Sequence, residues 1–87
     1  MPVFDIFISH PTTRESTRHR VFGITDLLRV FSENALRVTV DRHFDAVQRW
    51  AESAEVGDTI FLARRYRPSH RFSIYRVSES ETSLNDW

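Results

Sequence analysis

At 87 residues the chain is sized for one domain with a single core layer between a sheet and its helices, with little room for a deep active site. Its formal charge is zero, 12 arginines against 12 acids and no lysine, whereas a dedicated nucleic-acid binder is usually basic overall. The absence of cysteine excludes disulfides and thiolate chemistry, and no apolar run approaches the ~20 residues that span a bilayer.

Pro2–Ser9 alternates, with Phe4, Ile6 and Ile8 on one side and Val3, Asp5, Phe7 and Ser9 on the other, the pattern of a strand with one strongly apolar face. Pro11 ends it, since proline cannot extend a ladder. Asp5 also breaks up the apolar core a secretory leader needs, so a cytoplasmic protein is expected. The words FDIFISH resemble the opening strand of TIR domains. The likeness is confined to this strand and carries no catalytic role across.

Residues 12–20 are polar and read as a loop, with a short helical turn around 14–18; Val21 and Phe22 form a short strand before Gly23. Ile24–Ala35 is the clearest helix, because Ile24, Leu27, Leu28, Phe31 and Ala35 make one apolar stripe. Thr25 is the expected N-cap, Asp26 sits in the first turn where the helix dipole favours a negative charge, and Asn34 is suited to a left-handed stop. Leu36–Val40 alternates and reads as a strand. Asp41 then caps a second helix over 42–54 that presents Phe44, Val47, Trp50, Ala51 and Ala54. A turn at 56–58 leads into a hairpin with arms at 59–65 and 71–78 and a bend at 66–70.

The expected fold is therefore α+β: a single small domain in the order β-α-β-α-β-β, with a four-stranded mixed sheet, two helices on one face and a C-terminal β-hairpin. Both strand–helix–strand connections would be right-handed crossovers. The domain is expected to run over residues 1–80, with 81–87 as an acidic, loosely held tail. The core would contain Phe4, Ile6, Ile8, Leu27, Leu28, Phe31, Val38, Val40, Phe44, Val47, Ala51, Ile60 and Leu62.

Signals for chemistry are weak. Asp41, His43 and Asp45 are close in sequence, but His43 leaves the helix face the two acids share, and no paired-His or Cys spacing supports a metal. Neither of the two glycines sits in a phosphate-cradling loop, and no nucleophile-elbow motif accompanies the four histidines. No catalytic residue, cofactor or metal is assigned, and the protein is read as a non-enzyme.

The strongest feature is charge segregation. Residues 59–78 hold five arginines and no acid, whereas 41–58 hold five acids and two arginines, and 79–87 hold three acids and no arginine. Arg64, Arg65, Tyr66, Arg67, His70, Arg71 and Arg76 are the expected partner-binding set, since guanidinium groups form planar bidentate contacts and tyrosine adds rigid apolar area. The bland reading is internal: Asp45, Glu52, Glu55, Glu79 and Glu81 neutralise the arginines as solvated pairs, each contributing only ~0–1 kcal/mol. With both helices on one face, the other face would show Phe7, Arg37, Thr39, Phe61, Ala63, Tyr75 and Val77. Of these, Phe7, Arg37, Phe61 and Tyr75 form a secondary interaction face, which also suits a homodimer. Four-stranded RNA-binding sheets stack bases on such a face, but their consensus is missing here.

Together these features suggest a small protein-binding module or inhibitor that docks on the acidic surface of a protein partner. Phage and mobile-element genes often encode such proteins, including some that act on host defence complexes; this is analogy to a class. The alternative is a nucleic-acid-binding accessory protein that uses the same hairpin and sheet face. No membrane partner is expected.

Overall fold

The computed structural model describes residues 1–9, 13, 15–35, 37–62 and 71–78, with Arg37 and Val38 described by backbone alone. The elements are β1 (Val3–Ser9), β2 (Ser16–Phe22), α1 (Ile24–Asn34), α2 (Arg37–Ser53), β3 (Thr59–Leu62) and β4 (Arg71–Val77). The strands form one four-stranded sheet in the order β2-β1-β4-β3, and every neighbouring pair is antiparallel.

The α+β class, the four strands, the two helices on one sheet face and the pairing of the last two strands are as expected. The placement of two elements, and the direction of the sheet, differ. The second strand comes from Ser16–Phe22, read above as mainly loop, and the described part of the segment expected as a strand, residues 37–40, opens α2. The described order is thus strand, strand, helix, helix, strand, strand. The helix pair carries the chain from β2 on one edge of the sheet to β3 on the other, and the sheet is antiparallel rather than mixed.

Both differences have a physical cause. β2 is an edge strand in which Val21 alone is buried, so Ser16-Thr17-Arg18-His19-Arg20 shows no apolar alternation. Charge on an edge strand also discourages pairing with another chain. In α2, Val40 continues the series of Phe44, Val47 and Ala51 at helical spacing, so a short run that alternates also completes a helical stripe. Packing decides for the helix: Val47 and Ala51 are buried in the core and Val40 lies against it.

The core lies between the helices and the sheet face carrying Phe4, Ile6, Ile8, Phe72 and Ile74. Leu27 and Phe31 of α1 are fully buried there, and the Phe31 ring meets Phe72 edge to face at 5.7 Å between centroids. Phe4 packs against Trp50 of α2, also at 5.7 Å. Each fully buried large apolar side chain of this kind contributes roughly 1.5–3 kcal/mol.

The helix termini depart from expectation in detail. The N-cap of α1 is Gly23 at φ 91°, not Thr25, and no side chain caps it. Asp26 instead accepts a hydrogen bond from the Phe22 backbone N–H at 3.3 Å, tying the first turn to the end of β2. Asn34 stays right-handed, and its side-chain amide donates to the Val30 carbonyl at 2.8 Å. Gly57, at φ 94°, makes the turn before β3, where the Glu55 N–H donates to the Asp58 carboxylate and the Asp58 N–H to the Glu55 carbonyl, each at 2.9 Å.

Candidate interaction face

The two helices cover one side of the sheet, and strand register defines the other. Four rows of side chains cross it. The first holds Phe22, Val3 and Val77, and the second Arg20, Asp5, Tyr75 and Thr59. The third holds Arg18, Phe7, Ser73 and Phe61, and the fourth Ser16, Ser9 and Arg71.

Burial on this face is uneven. Val3 and Val77 are closed off from water, while Phe7, Phe22 and Phe61 are 37%, 50% and 61% exposed. Phe7 and Phe61 stand on either side of the small Ser73, two strands or about 10 Å apart at the backbone. Arg18 stands at one end of their row.

Among the described residues, one ion pair crosses the face. Asp5 is the sole charged residue among the buried described residues, and Arg20 across the ladder grips it with both prongs: Nε donates to Oδ1 at 2.8 Å and Nη2 to Oδ2 at 3.0 Å. Asp5 is also the one acid in the four rows, so its charge is answered within the face. Arg18 and Arg71 are exposed and make no hydrogen bond or ion pair among the described residues. The described face is therefore apolar in its middle and positive at its margin.

The expected site residues are distributed as follows. Arg64, Arg65, Tyr66, Arg67 and His70 lie outside the described residues, as does Ala63. Leu62 and Phe72 are cross-strand partners, so the strands flanking that segment leave and re-enter the sheet at the same end, the end of the Arg71 row. Arg71 and Arg76 share β4 but not a face. Five residues apart, they have opposite parity, and Arg76 lies on the helix side with its guanidinium 5.5 Å from the centre of the Phe4 ring. Phe7, Phe61 and Tyr75 do share the helix-free face; Arg37 and Thr39 belong to α2 and are not part of it.

Sequence reading missed Arg18 and Phe22, which reach the face through β2. Their signal was parity: Arg18, Arg20 and Phe22 alternate with His19 and Val21, and Val21 faces the core.

Away from the face, α1 carries a solvent-side network in which Arg29 bridges Asp26 at 2.6 Å and Glu33 at 3.1 Å. The Arg29 hydrogen bond, then that of the Phe22 N–H, holds the Asp26 carboxyl below its ordinary range, and Asp26 and Glu33 raise Arg29. Among the described residues there is no group of three His, Cys, Asp or Glu side chains placed to hold a metal, and no helix long and apolar enough to cross a membrane. Compared with protein-family models, curated proteins and solved structures, the chain matches none.

Proposed function

We propose that the protein is a non-enzymatic binding module that docks an acidic protein surface on its helix-free sheet face, with the arginine-rich β3–β4 connection contributing from the end of that face. The observation that carries this reading is the pairing of Asp5 with Arg20. It answers the one acid among the described residues of the face and leaves Arg18 and Arg71 beside the exposed Phe7 and Phe61. Apolar anchors surrounded by forked cations are the anatomy of a protein-binding hot spot.

A second copy suits this face less well, because two such faces in contact would bring unpaired guanidinium groups together without a carboxylate to receive them. Nucleic acid is the second reading, favoured by exposed phenyl rings beside arginines, an arrangement on which bases can stack. The overall zero charge weighs against it.

The test is affinity capture from source cells with and without nuclease, repeated with Arg18→Glu/Arg71→Glu and with Phe7→Ser/Phe61→Ser. A protein that survives nuclease and is lost with both variants supports the reading. A partner lost to nuclease favours the nucleic-acid alternative, and a partner retained by both variants removes the face from consideration.

A further inference from the structure

We infer that a second copy of the chain pairs along the outer edge of β3, strand to strand and antiparallel, so that two sheets join into one. This pairing stands apart from the acidic-partner reading and does not depend on it.

The two edges of the sheet differ in chemistry. β2, on one edge, carries Arg18, His19 and Arg20 in succession. Charges of that kind keep an edge from pairing with its like. β3, on the other edge, reads Thr59-Ile60-Phe61-Leu62 and contains no charge, proline or glycine. β-Branched and aromatic residues favour strand pairing. Phe61 is 61% exposed, more than any other large apolar side chain of the described strands.

The backbone of β3 is directed for such a contact. The Arg76 N–H donates to the Asp58 carbonyl at 2.9 Å. Opposite residues of an antiparallel ladder alternate between bonded and unbonded pairs, so Ile60 and Leu62 aim their N–H and C=O groups at β4. Thr59 and Phe61 turn theirs the other way, toward the edge. Those groups have no partner among the described residues.

Their spacing sets a register. With Thr59 of one copy opposite Phe61 of the other, each exchanges both backbone bonds, and the two-fold axis passes beside Ile60. The two Ile60 residues then form an unbonded pair, about 4.5 Å apart at Cα. The two Phe61 rings become diagonal neighbours on one face, a spacing that aromatic side chains can bridge.

Charge favours this direction and this occupant. Glu55 and Asp58 are exposed at the end where β3 begins. Arg71, exposed and without a hydrogen bond or ion pair among the described residues, stands at the other end, one residue before Phe72, the partner of Leu62. An antiparallel pair sets the acidic end of each copy beside the arginine end of the other, whereas a parallel pair would set like beside like. Pairing uses up the uncharged edge of both copies, so the assembly closes at two. The helix-free faces lie side by side instead of in contact, and Arg18 stays on the far edge of each. A seam of four residues per copy is smaller than a standard interface, so the dimer should form at micromolar rather than nanomolar concentration.

Sedimentation equilibrium of the full chain from about 5 to 500 μM spans the range of a weak interface. The average mass should rise from 10.3 kDa toward twice that value. Thr59→Pro removes an outward N–H without touching the ladder to β4, a change an edge strand accepts. Phe61→Lys keeps the N–H and puts a charge on the edge. Both should stay monomeric, with urea midpoints showing that they fold, and Arg18→Glu on the opposite edge should associate like the native chain. A native chain that remains at 10.3 kDa throughout overturns the inference, as does association retained by either β3 variant in folded form.

Oxidative cross-linking locates the seam, and the cysteine-free chain gives it a clean background. Ile60→Cys should form an intermolecular disulfide roughly tenfold faster than Thr17→Cys on the other edge, because about 4.5 Å lies within the Cα spacing a disulfide accepts. Equal rates at the two edges overturn the pairing.

Discussion

Replacing Arg20 by methionine tests how the helix-free face is held together. Methionine keeps most of the apolar stem but withdraws the guanidinium that meets Asp5 at 2.8 and 3.0 Å. Asp5 sits in a central strand and is only 4% exposed, so its carboxylate cannot turn to water for compensation. Two unit charges ~4 Å apart attract by about 4 kcal/mol at an effective dielectric of ~20, and breaking a buried pair by removing one partner costs ~3–5 kcal/mol. The Arg20 side chain is itself 21% exposed, which brings water to the pair and lowers the expected loss to about 2–4 kcal/mol. Asp5→Asn is the informative contrast. It keeps a carbonyl acceptor for Arg20 and leaves a cation that is already partly hydrated, so the loss should be about 1–2 kcal/mol. Asp5→Leu combined with Arg20→Met should cost less than the sum of its single changes, with a coupling of about 1–3 kcal/mol. A domain of 87 residues has a total stability of ~4–13 kcal/mol, so Arg20→Met alone removes a large share of it. Equilibrium urea unfolding followed by tryptophan fluorescence measures all five proteins: the native chain, Arg20→Met, Asp5→Asn, Asp5→Leu and the double variant. Equal losses under about 0.5 kcal/mol for Arg20→Met and Asp5→Asn, or a coupling of zero, would refute the reasoning.

Three further outcomes follow from the same geometry. Phe31→Ala empties a fully buried ring position and breaks the edge-to-face contact with Phe72, so thermal melting should show a loss of ~3–5 kcal/mol; a shift of only a degree or two would place Phe31 outside the core. Gly57→Ala meets no atom within 4 Å, so its cost is backbone strain alone, about 1–2 kcal/mol, and Gly57→Asn should cost less; denaturant midpoints decide this. The depressed pKa of Asp26 makes its contribution complete above its unfolded value of ~3.9 and lost as pH falls through the lower folded value. Carboxyl ¹³C titration should find that low midpoint, and Arg29→Gln should raise it.

The residues that fixed themselves locally were those whose periodicity had one structural meaning. Phe4, Ile6 and Ile8 alternate beside a charged residue, and Leu27, Leu28 and Phe31 recur at helical spacing. Their faces could be read from the chain alone, and with them Phe7, Phe61 and Tyr75 as members of the opposite sheet face. Parity in β4 also separates Arg71 from Arg76, a distinction obscured by treating the arginines as one cluster. Tertiary structure decided what local pattern left open. Leu36–Val40 alternates like a strand, and only the seating of Val40, Val47 and Ala51 on a common core makes its described part the first turn of a helix. Ser16–Phe22 lacks apolar alternation because an edge strand needs a single buried residue, Val21, and gains its place from backbone pairing with β1, which every residue type but proline supplies. The helix-free face shares that dependence. Arg18, Arg20 and Phe22 become neighbours of Asp5 and Phe7 only through the antiparallel register of β1 and β2, and a one-residue slip would turn all three to the helix side.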